Sequence, residues 1–499
     1  MPKNSASGMD AAVPRAQDAQ PARPSGMDAA VPRAQDAQPA RPSGMDAVSP
    51  AERGASAIRL MGLYETTFTD LLSNGQAVGR IGAMVAFVDG PLPGERARIR
   101  VTQIKPKYAV GELVELLERS PERVEPFCPV FGTCGGCQVQ HLGYAGQLAW
   151  KTRIVREALQ RIGGIAEPPV MPAIGMDQPR AYRNKMALVA KGGSFGFYKA
   201  RSHDLVPIRE CPIVLGSLDE QIANLWRARE NAATAPALRD VRHVIARAAI
   251  ASGDVVVSFT TDRGSPALGI AAKALAAAFP QAVGLSNSFD PPSTNAVMGR
   301  SHRTLSGRAD IAETIEGVSF RVSPASFFQV NSAMVRKIFG YLRERVALPK
   351  KILDLYCGAG TFALYFAKGG AAVVGVEENP HAIREARENA ALNAVEGNAS
   401  FLAGRVDTVL GAGPGRAALE AADIVFMDPP RKGSDEATLA LLARARVPEI
   451  WYLSCNPATL ARDLAQLAAA GYSVESVQPF DMFPQTGHIE ALAVAKMSG

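Results

Sequence analysis

No run of about twenty apolar residues occurs in the chain, so nothing in it is expected to span a membrane. The N-terminus lacks a basic segment followed by an apolar one, so no secretory signal is visible. Cysteine is scarce: six residues in 499, too few for a disulfide framework, and clustered in a way that points to a metal or to catalysis in a reducing compartment. A cytoplasmic location is therefore expected, with no membrane partner and no obligate protein partner evident. What the chain has in quantity is apolar residues, 47% of the total, which suits globular domains. At 499 residues it is too long for one core, so three or four domains are expected. A net charge of +6 permits a nucleic-acid partner without requiring one.

Residues 7–42 are two identical copies of SGMDAAVPRAQDAQPARP, with a third begun at Ser43. They hold too few large apolar residues to build a core, so 1–57 is predicted to be a disordered repeat tail, with Met45 and Met61 as alternative starts. Residues 58–120 alternate in β fashion, with turn signals at Asn74-Gly75, Asp89-Gly90 and Pro93-Gly94. Five short strands there suggest an OB-like barrel. Arg80, Arg96, Arg98, Arg100, Lys105 and Lys107 lie among them and favour RNA over mere surface charge. The stretch GRIGAMVAFVDGPLPGE resembles the TRAM domain, an RNA-binding barrel.

Residues 121–320 are predicted to form a central α+β domain. Cys128, Cys134 and Cys137 fall within ten residues, and the glycines between the last two let the chain curl so that both thiolates face one point. Cys211 is the remaining cysteine outside the C-terminal part and the natural fourth ligand. Zinc accepts four thiolates, but its common ribbons use two close pairs, so an iron–sulfur cluster with a structural role is the preferred reading. The C-x3-C-x2-C spacing of radical enzymes is absent. A helix is predicted from Gln147 to Ile162, packed on the catalytic domain. Tyr182 and Tyr198 stand beside basic clusters that include Arg183, Lys185, Lys199 and Arg201, as stacking on single-stranded RNA requires. His203 is read as an ordinary hydrogen-bonding or RNA-facing histidine.

Residues 321–499 carry the chemistry. A strand ending at Tyr356 runs into Cys357-Gly358-Ala359-Gly360 and a helix from Thr361, the first turn of a doubly wound α/β sheet, where Gly358 and Gly360 let a cofactor approach the backbone. No third glycine completes a dinucleotide fingerprint. The next strand ends in Glu377, placed for a ribose. Asp354 to Gly360 with Glu377 resembles the S-adenosylmethionine (AdoMet) site of class I methyltransferases. Cys357 is read as packing. Asp428-Pro429-Pro430 marks another strand end, followed by Arg431 where amino-group methyltransferases carry an aromatic. The strand through Leu453 delivers Cys455, and Glu490 opens the final apolar run. A thiolate added at C6 of uracil makes C5 nucleophilic, and a separate base must later take the C5 proton. Cys455 and Glu490 supply that pair, a helix beginning near Thr459 is expected to lower the thiol pKa, and Asp428 is expected to orient the base. The uridine has to be flipped from its stack or presented in a loop.

SFFQVN (326–331), DLYCGAG, DPPRKG, LSCNPATLARDL and FDMFPQTGHIEAL together resemble the RNA 5-methyluridine methyltransferase family over about 62–498. The resemblance implies a class I, Rossmann-like AdoMet domain behind the TRAM barrel and central iron–sulfur domain. It implies Cys455 as nucleophile, Glu490 as base, and AdoMet contacts from Gln329, Tyr356, Thr361, Glu377 and Asp428. It also implies a [4Fe–4S] cluster on Cys128, Cys134, Cys137 and Cys211. Barrel plus cluster is most similar to the branch that modifies 23S ribosomal RNA. Thr361 stands where some relatives have Asn. The rivals are a transfer-RNA uridine enzyme, an RNA cytosine-C5 enzyme, which is expected to carry Pro-Cys in the Asp428 motif, and a non-catalytic iron–sulfur RNA-binding protein.

Overall fold

The computed structural model describes residues 58–291, 297–326, 328–348 and 350–498; the predicted repeat tail, 1–57, lies outside the described residues. Strands β1 (Leu63–Leu71), β2 (Gln76–Ile81), β3 (Met84–Asp89), β4 (Arg96–Ile104) and β5 (Tyr108–Glu118) close into a barrel in the order β1-β2-β3-β5-β4. Strict alternation in β4 explains the closure: Ala97, Ile99 and Val101 fill the interior, and the arginines between them point out. Two of those arginines are not free for a phosphate. Arg96 pairs with Glu65 (2.8 Å) and Glu118 (2.9 Å), and Arg98 with Glu115 (2.7 Å) and Glu65 (3.1 Å). The cross-strand carboxylates that the sequence shows only as interspersed charge neutralise them.

Helix α1 (Tyr144–Arg161) follows the cysteine-bearing loop. Its Trp150 belongs to the barrel core and donates from Nε1 to the Leu71 carbonyl (2.9 Å), while Val155 and Leu159 join the C-terminal core. The segment after α1 lies along the last sheet, with parallel bridges Val170–Val477 and Ile174–Phe480. The middle of the chain is a seven-stranded sheet in the order β12-β11-β10-β9-β6-β7-β8, made of β6 (Lys185–Lys191), β7 (Ser194–Tyr198), β8 (Leu205–Pro207), β9 (His243–Ala248), β10 (Val255–Thr260), β11 (Ala282–Phe289) and β12 (Ser301–Gly307). Helices α2 (Gly216–Glu230), α3 (Pro266–Ile270) and α4 (Ala272–Ala278) supply Leu218, Ile222, Leu268 and Leu275 to the core on one of its faces. A hairpin of β13 (Ile311–Ile315) and β14 (Val318–Val322) then packs into the C-terminal core with α5 (Ser332–Arg345).

The C-terminal sheet has the order β17-β16-β15-β18-β19-β21-β20. It comprises β15 (Lys351–Leu355), α6 (Thr361–Lys368), β16 (Ala372–Glu377), α7 (Pro380–Leu392), β17 (Ala399–Ala403), α8 (Val406–Gly411), α9 (Gly413–Ala421), β18 (Ile424–Met427), α10 (Glu436–Ala445), β19 (Glu449–Ser454), α11 (Pro457–Ala469), β20 (Tyr472–Phe480) and β21 (Glu490–Met497). Strands β15, β18 and β19 are near-continuous apolar runs because helices cover both faces, and their parallel register aligns their carboxyl ends. Strand order reverses at β15, which has β16 on one side and β18 on the other. Open sheets of this kind bind ligands at that reversal. No described helix is long and apolar enough to cross a membrane.

Candidate active site

Phe328, Gln329, Asp354, Tyr356, Gly358, Thr361 and Asp428 line a cleft at the carboxyl edge of β15 and β18. The turn that opens it is conformationally demanding. Gly358 and Gly360 sit at φ 54° and 88°, and even Tyr356 is left-handed at φ 61°. A Cβ on Gly360 would stand 3.2 Å from Leu364 Cγ. Of the residues expected to hold a cofactor, Gln329, Tyr356, Gly358, Thr361 and Asp428 line the cleft, whereas Glu377 and Gly360 stand behind that lining. Glu377 accepts from the Gly358 (3.2 Å) and Asn379 (2.8 Å) amides and so shapes the turn. Gly360 is the residue before α6. Cys357 is buried in the core.

Acceptors outnumber donors here. Asp354 Oδ2 and Glu490 Oε2 are buried without a hydrogen-bond partner, and Asp428 Oδ2 receives only a long bond (3.3 Å) from Gln329 Nε2. Burial, reinforced by mutual repulsion with Asp428, holds the Asp354 and Glu490 carboxyls well above the usual range, and burial raises Asp428. Such a cleft fits a ligand that brings a positive charge and hydroxyl or ammonium donors, as AdoMet does. In the sequence Asp354 stands only as part of a motif. Its position at a buried strand end was the available signal.

Cys455 follows β19 directly. One step before it, Ser454 pairs with Ala491 across the antiparallel β19–β21 ladder, so continuing the register sets Glu490 opposite Cys455. Two loops are locked together around the thiol. Asn456 caps α11 through Oδ1 to the Ala458 amide (3.1 Å), and its Nδ2 donates to the Arg431 carbonyl (3.0 Å), as does Thr459 Oγ1 (3.3 Å). Arg431 Nη2 lies 3.2 Å from His488 Nδ1. The expected lowering of the Cys455 pKa is not found. Burial, then Glu490 and Asp428, push the thiol up to about 12, and Arg431 only partly opposes them.

The four other thiols come from two distant segments. Gly135 N donates to the Tyr198 carbonyl (2.9 Å), which stitches the Cys128–Cys137 loop to the end of β7. The Cys211 amide donates to Asp219 Oδ1 (2.6 Å) in the first turn of α2. Burial raises Cys137 to about 12 and Cys211 to about 11, and each thiol feels the others: Cys137 is raised further by Cys211 and Cys134, and Cys211 by Cys134 and Cys128. Gly136 N points at Cys134 Sγ (3.4 Å). Among the described residues no three His, Cys, Asp or Glu side chains converge as a single-ion site requires.

Two expectations about RNA contact change. Tyr182 is buried, its hydroxyl donating to the Pro484 carbonyl (3.0 Å), so it cannot stack on a base. Tyr198 stays half-buried, edge-on to His203 at 5.2 Å. Burial and the neighbouring Arg247 bring the Lys185 pKa down to about 7.

Residues 63–114 match the TRAM domain, 349–428 a methyltransferase domain and 418–496 the tRNA (Uracil-5-)-methyltransferase family. An uncharacterized RNA methyltransferase of Bacillus cereus is 36% identical over 87% of this chain and 96% of its own length. One from Gloeobacter violaceus is 37% identical over 86% and 95%. The crystal structure of Pyrococcus abyssi tRNA (uracil-54, C5)-methyltransferase with S-adenosyl-L-homocysteine is similar at TM-score 0.69 and 28% identity, covering 87% of this chain and all of that one.

Proposed function

Because the chain belongs to the tRNA/RNA uracil-5-methyltransferase family and is an AdoMet-dependent RNA methyltransferase with a TRAM domain, we propose that it methylates uridine C5 by covalent catalysis through Cys455 and Glu490. The observation that carries this reading is the strand register that sets Glu490 across from Cys455, beside the cleft that Asp428 lines. Gln329, Tyr356, Gly358, Thr361 and Asp428 would hold AdoMet, with Glu377 and Gly360 shaping the turn, and the cofactor would supply an electrophilic methyl group.

The protein's own residues do the rest. The Cys455 thiolate adds to C6 of the flipped uracil, and the displaced electron pair makes C5 nucleophilic. After C5 is methylated, Glu490 takes its proton. The C5–H pair becomes the C5=C6 double bond, and the C6–S pair leaves with Cys455. Asp428 orients the uracil. Burial, then Glu490 and Asp428, keep the thiol protonated, and a positive charge beside Asp428 removes the last of these contributions. Cys128, Cys134, Cys137 and Cys211 would hold a [4Fe–4S] cluster. The Gly135–Tyr198 hydrogen bond and the Gly136 amide on Cys134 support that assignment, and the cluster would pin the cysteine loop to the segment before α2.

The barrel and cysteine set favour 23S ribosomal RNA as substrate. Transfer RNA is the second reading, favoured by the Pyrococcus abyssi tRNA enzyme, which is similar over its whole length. Nucleoside mass spectrometry of separated ribosomal and transfer RNA, with and without the gene, decides between them by where 5-methyluridine falls. Cys455→Ala is expected to abolish methylation with AdoMet binding retained, and full activity in that variant overturns the mechanism. Glu490→Gln is expected to accumulate a covalent RNA adduct on a denaturing gel.

A further inference from the structure

Glu490 reaches its place through nine irregular residues, Asp481 to Ile489, that join β20 to β21. Nothing hydrogen-bonds its Oε2, so its position depends on the backbone that delivers it. That backbone is strained: Gln485 is left-handed at φ 71°, a conformation that a side chain bearing a Cβ disfavours. It persists because the N-terminal half clamps it. The Gln485 carbonyl accepts from the Gln138 and Val139 amides (both 3.1 Å), and its own amide donates to Gln147 Oε1 (3.0 Å).

Gln138 is the residue after Cys137, and its side chain works in two directions. Nε2 donates to the Gly135 carbonyl inside the C-G-G-C turn (2.8 Å), and Oε1 accepts from the Gly487 amide (3.3 Å), three residues before Glu490. Gly487 has no room to drift, since a Cβ there would stand 2.0 Å from the Ser73 carbonyl of the barrel.

We propose that Gln138 and Gln485 are positioning residues that transmit the conformation of the thiol-bearing turn to the catalytic base, so that an ordered Cys134–Cys137 turn is a condition for proton abstraction by Glu490. This rests on the reading of Glu490 as base. Loosening the clamp slows the elimination step and leaves the earlier addition of Cys455 to C6 in place, because Cys455 is held from the other side by Asn456 and Thr459. The C6–S bond then outlives methylation, and methylated RNA stays attached to the enzyme.

The test uses the full-length protein as purified, with its iron content and visible absorbance recorded. Gln138→Ala is expected to keep its iron and its affinity for AdoMet, to lose about tenfold in kcat with KM for RNA little changed, and to accumulate the adduct. Gln138→Glu, which keeps the acceptor for Gly487 N, is expected to recover part of the rate. Hydrogen exchange is expected to quicken in 481–490 in Gln138→Ala, and likewise in wild-type protein stripped of iron. If Glu490→Gln accumulates adduct while Gln138→Ala turns over like wild type, the clamp is refuted and the base stands. If Glu490→Gln accumulates none, the base assignment itself falls. Loss of iron or of AdoMet binding in both Gln138 variants reduces the residue to a structural one and overturns the proposal.

Discussion

Burial makes ionisation uphill at Cys455, Asp428 and Glu490, with Glu490 and Asp428 also opposing the thiolate, and this fixes the direction of the pH dependence. The thiol lies at about 12, and the Glu490 carboxyl is also raised. In the proposed mechanism both act deprotonated, so kcat/KM for RNA is expected to climb with pH from neutral into the alkaline range. Stability runs the other way. The folded Asp428 carboxyl is raised to about 7, against about 3.9 in an unfolded chain. Between those values the folded state binds more protons, so the contribution is present at low pH and lost as pH rises through about 7. Asp428→Asn is therefore expected to melt within a degree of wild type at pH 4 and several degrees higher at pH 8, without ligand, while losing activity. The residues proposed as nucleophile and base, Cys455 and Glu490, stand out in the sequence because each closes or opens an apolar run in a chain with few cysteines. Their protonation was not legible, because it depends on three carboxyls that meet only after the sheet has assembled.

Among the elements, α1 was expected to pack on the C-terminal domain, but the sequence concealed the ion pair it carries. Its existence is readable from helical periodicity, although it begins at Tyr144, three residues before the expected Gln147, and nothing local marks Lys151. In the fold it is fully buried, pairing with Asp481 (2.5 Å) and donating to the Phe483 carbonyl (3.0 Å), with the Tyr144 hydroxyl on the other Asp481 oxygen (3.0 Å). The partner lies 330 residues away with no local signal to announce it. Strands β15, β16 and β19 were legible for the opposite reason: their apolar runs and glycine turns are complete within a few residues. Removing one member of a buried ion pair leaves the other uncompensated, so Lys151→Ala is expected to cost about 3–5 kcal/mol in chemical denaturation. It is also expected to lower kcat more than AdoMet affinity, since it releases the segment leading to Glu490.

Across the whole molecule, charge is placed where ion pairs do not already consume it. The barrel arginines Arg96 and Arg98 are held by Glu65, Glu115 and Glu118, whereas Lys105 and Lys107 are exposed beyond them with no ion pair among the described residues. If the barrel grips phosphates, Lys105→Ala and Lys107→Ala should each reduce the slope of log K against log salt by about 1, measured with the RNA substrate. Arg96→Ala and Arg98→Ala should leave the slope almost unchanged.

The Lys151–Asp481 pair also sets a timetable for the chain's own synthesis. Lys151 leaves the ribosome 330 residues before its partner exists. At about 5–20 residues per second this is a wait of roughly 15 to 65 s. During that interval α1 can dock its tryptophan on the finished barrel, but its opposite face, Val155 and Leu159, has nothing to cover it. The nascent chain thus presents a half-housed helix until its last strands emerge, a window in which a chaperone or a protease meets it before the active site does.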